Sequence, residues 1–308
     1  MARKKESAVS GVIVVDKHEG VTSFRIIAIL RRLFDTSQVG HTGTLDPMAT
    51  GVLPVLIGRA VKACDYIMAQ DKCYVAELKL GIETDTEDVT GEILRKCDDI
   101  PPEDEVRRCI ASFVGEIAQI PPMYSAIKVG GRKLVDIARE GGEVERRPRP
   151  VTIHSIDTEK VSDDTYRIHV SCSKGTYIRT LCADIGKSLG CGAAMSALRR
   201  TETGSFSLDD AYTIEQLEVM SAEERQALVL PTESLFDDMD TVSLPQFFAN
   251  LFISGAPLYQ KKIRAKVPAG KTVKVKYGNE FLGLGRGDTL SDGTEVLKAE
   301  KLFKLEKV

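Results

Sequence analysis

No regular helix can cross residues 40–54, GHTGTLDPMATGVLP. Pro47 pushes the residue before it, Asp46, out of the helical region into extended backbone. Gly40, Gly43 and Gly51 each permit positive φ or the close approach of another backbone. The stretch reads as a shaped loop that aims one carboxylate, with the hydroxyls of Thr42, Thr44 and Thr50 beside it. Two readings follow. Asp46 either opens an Asp-Pro turn with glycine hinges, or serves as a fixed general base or carboxylate nucleophile. The loop alone leaves both open.

The chemistry of the second reading demands a partner. Burial raises a carboxyl pKa and removes its charge. A fixed arginine restores the charge, and a planar guanidinium fork suits a carboxylate. Asp46 has no basic residue within its own loop. Arg179, in GTYIRTLCADIG, lies in the first turn of an expected helix, where a cation opposes the helix dipole. The same arginine can equally lay its stem over the core and reach water.

Strands and helices are expected in alternation around this loop. GVIVVDK (11–17) reads as a buried strand. SFRIIAILRRLF follows as a helix with Thr22 or Ser23 as N-cap and Ile26, Ile27, Leu30, Leu33 and Phe34 at helical spacing. CYVAELKLG reads as a strand ending at Gly81, and the acidic IETDTEDVTGE as a loop or hairpin. PPEDEVRRCIASFVGEI reads as a helix with proline and acids at its start. VTIHSIDTEKV and TYRIHVSCS read as two strands of a meander. TYIRTLCADIGKSLG reads as a helix closed by Gly190. Residues 209–240 are acid-rich and helix-prone. Beyond about residue 241 strands dominate, with a hairpin turning at Gly278-Asn279 and a closing strand in VLKAEKLFKL. The expected class is α+β: a first domain over residues 1–240 on a mixed, mostly antiparallel sheet, and a small β-rich, barrel-like domain over 241–308.

With 308 residues the chain can bury a sizeable core. Its seven cysteines form no CxxC pair, and its four histidines, at 18, 41, 154 and 169, share no ligand-like spacing. These features point to reduced core thiols and to no metal. No apolar run is long enough for a bilayer, and the opening MARKKESAVSG lacks the apolar stretch of a secretory signal. A cytoplasmic protein is expected, with a monomer as the default. Net charge is −3, yet the charges are segregated. Acids gather at 83–105 and 209–240. Bases gather at 128–149 and in KKIRAKVPAGKTVKVK (261–276), where no acid interrupts the run. Local patches of this kind govern nucleic-acid binding more than the sum does. DKHEGVTS is no phosphate-binding P-loop, since it lacks the GKS or GKT ending.

HTGTLDPMATGVLP, with DKHEGVTS before it and KCYVAELKLGIETDTEDVTGE after it, resembles the TruB family of bacterial tRNA pseudouridine synthases. PPMYSAIKVGGRKLVDIAREG, KGTYIRTLCADIG and SALRRTETGSF resemble the family's later motifs in the same order, over about residues 11 to 207. The C-terminal segment resembles a PUA RNA-binding domain through strand pattern, basicity and FLGLG. The resemblance implies isomerisation of uridine 55 in the T-arm of tRNA, without cofactor, after the base is flipped out. It implies Asp46 as the catalytic aspartate, Tyr74 as the tyrosine stacked on the target base, and Arg179 as the arginine paired with Asp46. It further implies His41 as a residue helping to extrude the nucleotide, Tyr177 and Leu198 as pocket residues, and Lys17 as a lysine packed near the site. Two positions depart from the family: His18 replaces a usual proline and Val135 a usual aromatic. A non-catalytic tRNA-folding factor on the same scaffold, or a synthase for another RNA, would share most of these motifs.

Overall fold

The computed structural model describes residues 9–308. All but the last residues of the basic opening stretch lie outside them. An eleven-stranded sheet organises the first part of the chain. Its main path runs 211–212, 11–17, 50–57, 193–203, 72–80, 165–172, 149–160, 115–119. The pairs of 11–17 with 211–212 and of 50–57 with 193–203 are parallel, and the other neighbours on the path are antiparallel. The sheet is therefore mixed and mostly antiparallel, in an α+β fold.

The strand Gly11–Lys17 and the helix Ser23–Leu33 stand where their apolar patterns place them, and Thr22 is the N-cap. Ile26, Ile27 and Leu30 bury the helix face in the main core. The strand Lys72–Leu80 ends at Gly81, whose φ of +81° suits the turn into the 82–84/93–96 hairpin. Arg149–Lys160 pairs with Thr165–Cys172 as a meander. The helix Ile178–Leu189 closes on Gly190 in the left-handed region. Its buried stripe includes Ile178, Leu181, Cys182 and Ile185.

One expected helix is shorter than its pattern. PPEDEVRRCIASFVGEI is helical only over Glu103–Ala111, and Gly115–Gln119 forms an edge strand of the main sheet. Gly115 takes φ +115°, which no right-handed helix uses, so the chain turns there. The acid-rich 209–240 segment holds two short helices, Ile214–Val219 and Ala222–Ala227, each opened by a capping box.

From residue 241 a second, five-stranded sheet runs in the order 241–243, 272–277, 280–289, 295–302, 258–259. The expected hairpin turns at Gly278, φ +54°. Sequence patterning did not foresee the helix Gln246–Ile253, which buries Ala249, Phe252 and Ile253 under this sheet. Leu284 and Phe303 of this part share an apolar cluster with Val12, Val14, Val52 and Leu56 of the main sheet.

Candidate active site

The Asp46 loop is held from both sides. The Ser23 hydroxyl accepts from the Leu45 N–H at 2.9 Å and donates to the Leu45 carbonyl at 3.1 Å. Thr22 caps its helix, which frees Ser23 for this clamp. On the other side the Lys17 ammonium, fully buried, donates to the carbonyls of Pro47 (3.2 Å), Val21 (2.8 Å) and His18 (3.0 Å). Gly20 N–H adds a bond to the same Pro47 oxygen at 2.9 Å. Asp46 thus stands between two pinned neighbours. The carbonyl that His18 presents is backbone, so the residue type there does not alter the clamp.

Two of the loop's glycines are required by geometry. Gly43 and Gly51 take φ of +148° and +100°. A Cβ on Gly51 would fall 2.1 Å from the Arg200 carbonyl oxygen, where strand 50–57 meets strand 193–203. Gly40 sits in the short strand Val39–His41 with a negative φ, and a Cβ there would meet only ordinary contacts, so that glycine has no such need.

Arg179 reaches Asp46 from the first turn of the 178–189 helix, with Nε 2.9 Å from Oδ2. The arginine side chain is 6 % exposed and the aspartate 36 %. The expected fork is redirected. One terminal nitrogen donates to the Thr86 carbonyl at 3.0 Å and the other to the Tyr124 carbonyl at 2.9 Å. Asp88 Oδ2 lies 3.7 Å from the first of these. The Asp88 carboxylate is itself locked, its Oδ1 accepting from Thr86 Oγ1, Thr90 N and Thr90 Oγ1. Burial raises the Asp46 pKa above the ordinary value of 3.8, Arg179 pulls it back, and Asp88 raises it again.

Tyr74 projects from strand 72–80, partly buried against the main core. Burial raises its pKa, and the charge on Asp46 is close enough to add to that rise. Tyr177 is the N-cap residue of the Arg179 helix; its backbone exchanges two hydrogen bonds with the Gln119 amide. Its phenol also feels Asp46 and Arg179. Leu198 lies in the core opposite Ala76, on the face shared by Tyr74. His41, five residues before Asp46, ends the strand 39–41 with Nδ1 accepting from Gly43 N at 3.4 Å. Burial, then Arg200, depresses its pKa and keeps the ring neutral. Burial likewise lowers Lys17 to about 8, against the raising effect of Asp46.

Asp46, Arg179, Tyr74, Tyr177 and Lys17 therefore share one electrostatic neighbourhood. His41 borders it through Gly43. Sequence reasoning singled out neither Ser23 as a clamp nor Asp88, Thr86, Gln119 or Arg200. Asp88 sits in an acidic run that reads as a solvated turn, and Arg200 in a strand whose two central arginines hide its burial.

The second basic run is less free than it looks along the chain. Lys271 and Lys276 pair with Asp240 (2.5 Å) and Glu233 (2.8 Å), and Lys274 stands 3.7 Å from Asp237. The acidic segment before residue 241 folds back onto it. Lys261, Lys262, Arg264 and Lys266 have no carboxylate within 4.0 Å among the described residues. Among those residues no group of His, Cys, Asp and Glu is placed to hold a metal ion, and no helix is long and apolar enough to cross a membrane.

Residues 31–178 match the family described as TruB family pseudouridylate synthase, N-terminal domain, and residues 179–237 match the tRNA pseudouridylate synthase B C-terminal domain. The chain is 42 % identical over 300 residues to tRNA pseudouridine synthase B of Aromatoleum aromaticum, covering 97 % of this chain and 94 % of that one. It is 43 % identical over 303 residues to the protein of the same name from Clostridium perfringens, covering 97 % and 98 %. Among solved structures, a chain of a Cbf5-Nop10-Gar1 complex superposes with a TM-score of 0.72 at 27 % identity, over 96 % of this chain and 85 % of that one.

Proposed function

The chain belongs to the TruB family of pseudouridylate synthases, and from that premise we propose that it isomerises uridine to pseudouridine in tRNA, at position 55 of the T-arm, with Asp46 as the catalytic residue. The observation that carries the proposal is the Asp46–Arg179 contact of 2.9 Å between two rigid elements, with Tyr74 and Tyr177 beside it.

The reaction breaks the N1–C1′ bond, turns the uracil, and makes a C5–C1′ bond, with no net oxidation. Asp46 can attack C1′, attack C6, or take a ribose proton. Each route needs an ionised, oriented carboxylate. Arg179 favours the ionised form against burial, and the clamps on Leu45 and Pro47 supply the orientation. The detached uracil must stay bound. Tyr74 is the platform on which it stacks, a contact worth about 1–3 kcal/mol for a base on an aromatic ring. Tyr177 and Leu198 complete the pocket.

A base inside a folded arm must first be flipped out, which costs a few kcal/mol. His41 fills the space it leaves, as a neutral ring. The bases of 128–149 and the unpaired set Lys261, Lys262, Arg264 and Lys266 contact phosphates, since A-form RNA hides its major groove. Residues 1–240 thus form the catalytic domain and 241–308 a PUA-like unit that holds RNA. The protein acts as a monomer in the cytoplasm.

Asp46→Asn should abolish pseudouridine formation and leave tRNA binding largely intact; appreciable turnover by that variant would reject the assignment. Mapping pseudouridine in total RNA after deletion of the gene tests the target. A lost modification elsewhere than position 55 would replace it.

A further inference from the structure

Arg200 is among the bulkiest fully buried side chains in the described residues, 2 % exposed, and it has no carboxylate within 4.0 Å among them. Buried charges are ordinarily paired. Here the guanidinium is shared among neutral acceptors that all belong to the site. Nε donates to the Val52 carbonyl at 2.7 Å, and a terminal nitrogen donates to the Gly43 carbonyl at 3.3 Å, inside the Asp46 loop. Tyr74 is its direct partner across the antiparallel strands 72–80 and 193–203, and the charge of Arg200 draws the phenol's pKa down against the rise from burial. Both positive-φ glycines of the Asp46 loop lie against this residue. Gly51 faces its backbone, and a side chain on Gly43 would start 3.4 Å from its Nη1. The loop's two positive-φ glycines thus both mark where the strand that carries this arginine passes.

Arginine can only donate. Standing opposite Tyr74, it therefore offers the phenol no acceptor, and the phenol's single proton remains free to be given elsewhere. We propose that Arg200 is a positioning residue for the isomerisation: it sets a buried cation opposite Tyr74, leaves the phenol proton for a carbonyl oxygen of the uracil, and ties the strand facing Tyr74 to the Asp46 loop through Gly43. This rests on the reading of the site as a pseudouridine synthase. When the N1–C1′ bond breaks, its electron pair passes to the uracil ring and its carbonyl oxygens. A donor fixed there in advance meets that charge without reorganisation. The cation opposite strengthens the donor, against the weaker opposing effect of the Asp46 charge.

Biosynthetic 3-fluorotyrosine makes each phenol ionise at lower pH and visible by fluorine NMR. The Tyr74 signal is the one lost in Tyr74→Phe. Arg200→Gln should raise the pH at which that signal titrates by about half a unit or more, and Arg200→Lys by less. A titration that does not move overturns the proposal. In single-turnover assays on full-length tRNA, Arg200→Gln should slow isomerisation about 10- to 100-fold, while tRNA affinity changes less than about threefold, since the residue is buried. A normal rate in Arg200→Gln alongside an inactive Asp46→Asn rejects the role of Arg200 alone. Turnover in Asp46→Asn rejects the reading of the reaction instead. If both Arg200 variants fail to fold, the residue is structural and the positioning role falls.

Discussion

Ser23 grips Leu45 by both ends of its amino-acid unit, as acceptor for the N–H and donor to the carbonyl. One hydroxyl thereby couples the first turn of the 23–33 helix to the residue before Asp46. Ser23→Ala leaves a buried N–H and a buried carbonyl without partners. It should destabilise the protein by about 1–3 kcal/mol, read by chemical denaturation. Because the loop carries the carboxylate, the rate should fall about 10- to 100-fold with little change in tRNA affinity. An equal loss in affinity and rate would mean the loop is a binding element and not a mount.

Lys17 performs the matching task at Pro47, and its charge state sets a second expectation. Its folded pKa is lowered to about 8 from an ordinary 10.5. Between those values the unfolded chain holds a proton that the folded protein has released. The contribution of Lys17 to stability therefore rises with pH across that window and is least favourable below it. Lys17→Met should flatten this rise in a stability-against-pH curve. It should also slow turnover, because Pro47, Val21 and His18 lose their shared donor. A variant with the wild-type pH curve would show that the ammonium is not held in a desolvated site.

Asp46 has the opposite linkage. Its folded pKa lies above 3.8, chiefly through burial. Across the window between the two values the folded protein holds a proton that the unfolded chain has lost. Its contribution to stability is present at low pH and falls as pH rises through that window. Asp46→Asn removes the cost of ionisation, so the inactive variant should be at least as stable as the parent at pH 7. The acid limb of kcat/KM should lie above the ordinary aspartate value, and Arg179→Gln should move it further up, since Arg179 favours the charged form. A limb at or below 3.8 in the parent would contradict the burial of Asp46.

Arg179→Lys keeps the charge and loses the geometry. The Thr86 and Tyr124 carbonyls each take one terminal nitrogen, and a lysine cannot reach both while meeting Asp46. The rate should drop by about 100-fold or more. Amide exchange should quicken around residues 84–88 and 122–126, because the arginine ties those segments together. Unchanged exchange there would confine its role to Asp46.

These four residues mark how far the chain could be read before its fold was known. Amphipathic spacing located the helices at 23 and 178, and Pro47 with Gly43 and Gly51 located the loop. Each is a local signal. The strands Thr50–Ile57 and Ala193–Thr203, central to the sheet, went unread. The first is continuously apolar after its glycine, and the second carries Arg199 and Arg200 in mid-strand. Their burial is imposed by pairing partners far away in sequence, and no short window reports it. For the same reason Arg179 is only one candidate partner for Asp46 until the family resemblance singles it out, while the roles of Ser23, Asp88 and Arg200, bonded across the fold, carry no sequence signal.

Removing residues 241–308 is the natural test of the proposed RNA-holding unit, and the packing shows that it tests something else as well. Phe236, fully buried, stands within 5.3–5.8 Å, centroid to centroid, of Tyr66, Phe281 and Phe303. Leu284 and Phe303 close the apolar cluster formed by Val12, Val14, Val52 and Leu56 on strands that also carry Lys17 and the end of the Asp46 loop. Losing those two side chains alone forfeits about 3–6 kcal/mol of burial, a large part of the about 5–15 kcal/mol that typically holds a folded protein together. A chain ending at 240 should therefore unfold at a markedly lower temperature and bind a hydrophobic dye, and its weaker tRNA affinity would not isolate the basic surface. Changing Lys261, Lys262, Arg264 and Lys266 to glutamate leaves the cluster intact. That variant should keep the parent melting temperature, lose tRNA affinity, and retain the single-turnover rate on saturating tRNA. A truncated chain as stable as the parent would show that the aromatic contacts contribute little, and the unit could then be regarded as an appendage.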